Sequence, residues 1–350
     1  MSQPEGGRRG RRGGPTIADV ARHAGVSTMT VSNVFNRRLQ RVSEGTQATV
    51  LAAAAELGYR VNLTARHLRT GRTGMVGLAV PDLSSGYFAE LADRLAWRLA
   101  DQGLRLVVER TAGERAEELA SLSASRLSMY DAFVLSVVEG DAADLEQLAV
   151  DVPLVLIGER TVPERFDHVL MDNVGGARLA AEHLIACGAR RIAVLGGIRG
   201  DGDSMAELRT RGHVEAHEDA GLSVDEDLLR GGGFRRADGY EQTMIMINDG
   251  VDFDAVFALT DSAAVGALRA LAEAGRRVPE EIQLVGFDNL SDASYATPTL
   301  TTVEPGNDEM ADAICRLLVE RITPGDEPLP AQLVMPTATL VERGSTRSGQ

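Results

Sequence analysis

TIADVARHAGVSTMTVSNVFN, residues 16–36, reads as two short helices joined by a tight turn. Thr16 and Asp19 have the spacing of a capping box, and Ile17, Val20, Ala21 and Ala24 follow at helical spacing. Gly25 ends that helix and Val26 fills the turn. Ser27 then caps a second helix, 28–36, that turns Val31 and Val34 inward. A third helix is predicted over 43–57, with Val50, Leu51, Ala54 and Leu57 as its apolar positions and Gly58 as its stop. Two helices closed by so short a turn fit a helix-turn-helix, whose second helix lies in the DNA major groove. Thr28, Met29, Ser32 and Asn33 fall on or near its exposed face. An Asn pairs bidentately with adenine, and a Thr methyl or a Met touches a thymine methyl. The other reading is an ordinary three-helix bundle; the caps and the local charge weigh against it.

That charge is uneven along the chain. The 350 residues carry a net charge of −15. Residues 1–72 hold 12 Arg against 4 acids, a balance of +8, so the remainder carries −15 − 8 = −23. A basic head on an acidic body suits a polyanion-binding unit joined to one that avoids the polyanion. Arg8, Arg9, Arg11 and Arg12, set among glycines, read either as a flexible basic arm (1–15) or as a solvated tail. No apolar stretch follows them, so no secretory signal is expected, and no apolar run reaches the length of a membrane span. Cys187 and Cys315 sit singly in apolar helical patterns and read as reduced, buried thiols. These features point to the cytoplasm.

From residue 75 strand-like runs such as MVGLAV (75–80), AFVLSVV (132–138), RIAVLGG (191–197) and IQLVGFD (282–288) alternate with amphipathic helices. The alternation implies parallel sheets with helices on both faces, and there are enough units for two sheets. Ligands in such folds sit beyond the C-terminal ends of the strands. The polar residues there are Asp82, Ser84, Ser85, Asp172, Asn173, Asp261, Asp288 and Asn289. His213 and His217, four apart on a helix, lack a third ligand, so no metal is expected. GGIRGDG lacks the spacing of a dinucleotide loop and reads as a lobe rim, and no GxSxG elbow or Cys/His pair appears. No cofactor and no enzymatic activity are expected. Trp97, on a helix with Leu91, Leu95 and Leu99, reads as packing or as part of a subunit interface.

Residues 16–36, the segment ELGYRVNLTARHLRTGRTGMVGLAVPDLSSGYFAEL and the segment DSAAVGALRALAEAGRRVPEEIQLVGFDNL, followed by YATPTLTTVEP, together resemble the lactose-repressor/galactose-repressor (LacI/GalR) family over nearly the whole chain. The resemblance implies an N-terminal all-α helix-turn-helix head (16–60) and a hinge helix or linker (61–74). It also implies a body (75–343) of two doubly wound parallel-sheet lobes, like a periplasmic binding protein. Lobe 1 would span about 75–172 and 304–335, lobe 2 about 173–302 and 336–343, with crossings near Asp172, Val303 and Pro336 and a tail at 344–350. It further implies a homodimer or a tetramer that represses from a palindromic operator under control of a sugar or related polyol, with no membrane partner.

The residues expected on DNA are Thr16, Ser27, Thr28, Met29, Thr30, Ser32, Asn33 and Asn36, with Asn62, Ala65, Arg66 and Leu68 of the hinge. Leu68 is the apolar wedge for the minor groove. The effector residues implied are Ser84, Tyr87, Phe88, Asp172, Arg209, Phe234, Thr260 and Asp288. Without the resemblance, Arg209 and Asp288 read as an interlobe ion pair. Val61, Thr260 and His213 depart from the family pattern, which more often has Pro, Asn and an aromatic there; Thr260 puts a standard hexose in doubt. A solute-binding protein and an enzyme are the competing classes. The first leaves residues 16–72 unexplained and the second lacks a reactive constellation.

Overall fold

The computed structural model describes residues 14–35, 42–59, 71–147, 150–323 and 329–347. The chain divides into two units, 1–73 and 74–350.

The small unit contains α1 (Ile17–Ala24), α2 (Thr28–Phe35) and α3 (Glu44–Glu56). Thr16 and Asp19 form the reciprocal capping box, and Gly25 closes α1 at φ 66°, a left-handed conformation that favours glycine. The Ser27 hydroxyl accepts from the Thr30 amide at 3.0 Å, and Ser43 caps α3 by accepting from the Thr46 amide. Val20, Ala21, Val31, Val34, Val50, Ala53 and Ala54 make the core, flanked by Phe35 and Tyr59 with ring centroids 5.4 Å apart. Leu51 differs from its expected place: it is 53% exposed, because Val50, Ala53 and Ala54 already fill the inward stripe of α3.

In the large unit, strands β1 (Met75–Val80), β2 (Arg105–Arg110), β3 (Ala132–Ser136), β4 (Leu154–Ile157) and β5 (Asp167–Val169) build one sheet, completed by β11 (Leu333–Val334). Its order is β11-β5-β4-β3-β1-β2 and all its pairings are parallel. Strands β6 (Ile192–Leu195), β7 (Leu229–Arg230), β8 (Ala255–Ala258), β9 (Gln283–Phe287), β10 (Thr301–Glu304) and β12 (Thr339–Val341) build the second, in the order β12-β10-β9-β8-β6-β7. Only β12 runs antiparallel there. Apolar runs such as Phe133–Leu135 and Ala255–Ala258 are buried, as parallel strands covered on both faces must be.

The helices that matter below are α4 (Gly86–Asp101), α5 (Arg115–Ser121), α6 (Ala124–Leu127), α7 (Ala142–Glu146), α8 (Asn173–Ala186), α9 (Met205–Asp219), α10 (Arg236–Asn248), α11 (Asp261–Glu273), α12 (Ser291–Tyr295) and α13 (Asn307–Ile322).

Val303 and Glu304 both pair within β10, so the second crossing between sheets follows Glu304, beside Val303. Two sequence expectations change. Residues 344–347 are no loose tail. Ser345 is fully buried, donates to the Leu284 carbonyl and accepts from the Thr301 amide; Arg347 donates its amide to Gln283. Trp97 is 71% exposed and takes no part in the core of its own chain, which α4 meets with Leu91, Leu95 and Leu99.

Candidate effector cleft and DNA-contact helix

Strand order sets the cleft. In each sheet the first strand lies between the second and the third, β1 between β2 and β3, and β6 between β7 and β8. The connections therefore leave in opposite directions at that point, the position beyond the strand ends where ligands bind in such folds. Arg160 and Thr161, after β4, bond Asp203, after β6; Asp82, after β1, bonds Arg235, just ahead of α10. The two sets of strand ends thus face one another.

Arg209, on α9, occupies the centre. Gly212 makes that position possible: a Cβ there would lie 2.2 Å from the Val174 carbonyl oxygen, so only glycine lets α9 press on α8. The guanidinium is 3.5 Å from the Phe287 ring centroid. Its Nε donates to Asn173 Oδ1 at 2.6 Å, one Nη donates to the Leu259 carbonyl, and the other reaches the Met171 sulfur at 3.4 Å. Its contact with Asp288 is only 3.4 Å. Both partners are buried, and desolvation works against both charges. It lowers the Arg209 pKa and raises the Asp288 carboxyl to about 7 despite the neighbouring cation.

Asp288 stands at φ 105°, which few non-glycine residues adopt, and Asn289 follows at φ 48°. The strained pair is pinned by its backbone: the Asp288 amide donates to Val303, and Asn307 donates to the Asp288 carbonyl at 2.7 Å. The carboxylate is left with one long contact and turned toward Arg209. Neighbouring Asp261 is instead saturated, accepting from the Leu290 amide and the Thr302 hydroxyl. Burial holds its carboxyl well above the ordinary range.

The expected effector residues divide by what their polar atoms already do. Arg209 and Asp288 meet on the second lobe, so they are not an interlobe pair. Tyr87 and Phe88, on α4, are half-buried and packed edge to face at 5.0 Å. Burial raises the Tyr87 hydroxyl pKa, with further contributions from Asp288 and Glu159. Phe234 is half-buried over Gly196 at the end of β6, where a Cβ would meet its ring at 2.9 Å. Ser84 is exposed and donates to Asp82 from both amide and hydroxyl.

Asp172 caps α8 through the Gly175 amide, and Thr260 caps α11 while donating to the Phe234 carbonyl at 2.8 Å. Their side chains are thus engaged in shaping the walls. The sequence reading missed Glu159 and Met171 and undervalued Asn173, which bonds Arg209 on one side and Glu159 on the other, at 3.0 Å. Both Asn173 and Glu159 follow strand ends closely, the signal that pointed to Asp172. Among the described residues no group of three His, Cys, Asp or Glu is placed to hold a metal ion.

In the small unit Thr28 and Met29 are exposed, Met29 by 69%, while Thr30, Ser32 and Asn33 are half-buried on α2. Thr16 and Ser27 are exposed at the helix N-termini, each with its hydroxyl in a cap. Asn36, Asn62, Ala65, Arg66 and Leu68 lie outside the described residues.

Residues 16–62 match the model of bacterial regulatory proteins of the lacI family, and residues 181–346 match a periplasmic binding protein-like domain. The ribose operon repressor of Halalkalibacterium halodurans is 33% identical over 338 residues, 96% of this chain and 98% of that protein. The chain belongs to the lacI family. Two solved structures agree over almost its whole length. A transcriptional regulator CelR–cellobiose complex is 33% identical and covers 95% of this chain and 99% of its own, with a TM-score of 0.67. A lac repressor dimer bound to operator and an anti-inducer is 27% identical and covers 96% and 100%, with a TM-score of 0.75. This lacI-family chain is accordingly a transcription regulator with a helix-turn-helix head and a ligand-binding body. None of its described helices is long and apolar enough to cross a membrane.

Proposed function

We propose that the chain represses transcription in the cytoplasm as a homodimer on a palindromic operator, and that a sugar or related polyol bound between the lobes sets its operator affinity. The observation that carries the effector reading is the Arg209–Asp288 pair, buried at a switch point and left with one 3.4 Å contact between its charges. A carboxylate with open lone pairs beside a guanidinium binds vicinal hydroxyls as both acceptor and donor. Phe234 and Tyr87 supply ring faces for the apolar side of a sugar. The name of the cellobiose-bound relative supports a saccharide of this kind. The acidic body needs no catalytic role, and we propose none. Thr28, Met29 and Asn33 are the proposed base contacts, with Thr16, Ser27, Thr30 and Ser32 against the backbone.

A thermal-shift panel of cellobiose, ribose, other sugars, nucleosides and polyols tests the effector reading. The expected hit raises the melting temperature of the wild type and not of Asp288→Asn. A hit that stabilises both proteins equally places the effector elsewhere. Addition of the hit is then expected to change operator affinity in the full chain.

A further inference from the structure

The glycine-rich segment GIRGDGDSM, after β6, has no part in the function proposed above, yet it makes the densest contact between the lobes. The Asp203 carboxylate accepts from Arg160 Nη1 at 2.8 Å, from the Thr161 amide at 2.9 Å and from the Thr161 hydroxyl at 3.2 Å. All three donors come from the loop after β4 of the first lobe. Both sides are held before they meet. Arg160 is anchored by its Nε, which donates to the Val138 carbonyl at 2.6 Å. Asp203 immediately precedes Ser204, whose reciprocal capping box with Glu207 fixes the start of α9. A carboxylate presented this way loses less freedom on contact than one on a free surface chain.

Besides the Asn173–Glu159 and Asn307–Asp288 bonds at the strand ends, two more contacts bridge the lobes at their rims. Arg235 of the second lobe donates twice to Asp82 of the first, at 3.0 and 2.7 Å. Glu90, on α4, accepts from both the amide and the hydroxyl of Ser291, each at 2.8 Å, where α12 begins. The charges are crossed: the first lobe offers an acid (Asp82) in one contact and a base (Arg160) in another, and the second lobe the reverse. Sliding or rotating one lobe breaks both pairs together, so the pattern favours one register.

We infer that Asp203 is a positioning residue that holds the two lobes in this one relative arrangement through Arg160 and Thr161. The α9 helix that begins beside it carries Arg209, which ties the latch to the proposed effector site along one helix. Loosening the latch then shifts the balance between lobe arrangements before any effector binds. The inference rests on the effector reading only for that consequence; the latch itself is measured without a ligand.

The test is hydrogen exchange by mass spectrometry on the effector-free full chain, comparing wild type, Asp203→Asn, Arg160→Asp and the double variant Arg160→Asp/Asp203→Arg. The informative amides are Thr161, at the latch, and Ser291, in the separate Glu90 contact. Asp203→Asn and Arg160→Asp are expected to speed exchange at both by about twofold to fivefold, the range a partly exposed ion pair commands. The double reversal is expected to restore protection at Ser291. Faster exchange at Thr161 with Ser291 unchanged makes Asp203 a local loop tie and overturns the inference, as does no change at either amide. Failure of the sugar panel with this exchange pattern intact removes the effector reading and leaves the latch standing.

Discussion

The two lobes share a strand order, yet one buried carboxylate at the strand ends of each, Glu118 and Asp288, is treated differently. In the first, Glu118 on α5 is 1% exposed and accepts from the amides of Val138, Glu139 and Gly140, at 2.8–3.3 Å. Its oxygens are saturated by the loop that follows β3. In the second, Asp288 is as well hidden but has one long side-chain contact, with its backbone strained to hold the carboxylate in place. A saturated buried carboxylate is scaffold. One with a single long side-chain contact keeps lone pairs free to accept further hydrogen bonds. Burial and residue type alone do not separate the two; the count of satisfied lone pairs does.

Removing the saturated carboxylate has the larger expected effect on stability. Glu118→Ala leaves loop amides without an acceptor and is expected to cost about 2–4 kcal/mol. The measurement is a fall in urea midpoint at unchanged slope. Asp288→Asn keeps an acceptor toward Arg209 and is expected to stay within about 1 kcal/mol of wild type while weakening effector binding about tenfold to a hundredfold. The reverse order of stabilities breaks the comparison.

The second lobe also carries a buried side chain whose polar atoms have no partner at all. His213 is fully buried on α9 with neither ring nitrogen hydrogen-bonded, 4.2 Å from the His217 ring and nearly parallel to Phe257 at 6.3 Å. Burial lowers its pKa from the ordinary 6.5 to about 3. His213→Phe is expected to raise stability by about 1–2 kcal/mol, since an apolar ring replaces polar atoms that have no partner.

The pH dependence has a definite sign. The unfolded histidine takes a proton below pH 6.5 and the folded one does not until about pH 3, so the unfolded state binds more protons in between. Wild-type stability therefore falls as pH drops through that window, by up to about 1.4 kcal/mol per unit from this residue. Denaturation at pH 7, 6, 5 and 4 checks it: the gap between His213→Phe and wild type is expected to widen as pH falls. A constant gap contradicts it.

The smallest expected effect is at the exposed end of the Asp82–Arg235 pair. Arg235→Ala, whose side chain is 66% exposed, is expected to change stability by under about 1 kcal/mol, detectable as a small, salt-sensitive shift in midpoint.

Much of this was legible in the sequence where the physics is local. Thr16, Asp19, Gly25 and Ser27 announce caps and a turn within a few residues of one another, and the apolar runs from residue 75 onward mark covered parallel strands. Asp288 was legible as a polar residue past a strand end, whereas Arg209, 79 residues away, was legible only through the family pattern. Asn173 and Glu159 were not chosen because their roles come from a meeting across the first crossing between sheets. Asp172, beside Asn173, looked equally polar and turned out to cap a helix. Leu51 misled because α3 is rich in alanine: small residues complete its inward stripe and leave the larger one outside. The segment 344–347 was expected as a tail from the family bounds, and nothing local announces the bonds that bury Ser345 against Leu284 of β9 and Thr301 of β10.

In the proposed function Asp288 of the second lobe reads the effector while a separate head reads DNA. Fluorescence anisotropy of an operator duplex tests it, titrated with full-length wild type and Asp288→Asn, each with and without the sugar that stabilises the wild type. The predicted result is equal operator affinity for both proteins without sugar, and a shift on adding sugar in the wild type alone. Loss of operator binding by folded Asp288→Asn in the absence of sugar, or an undiminished sugar response in that variant, contradicts it.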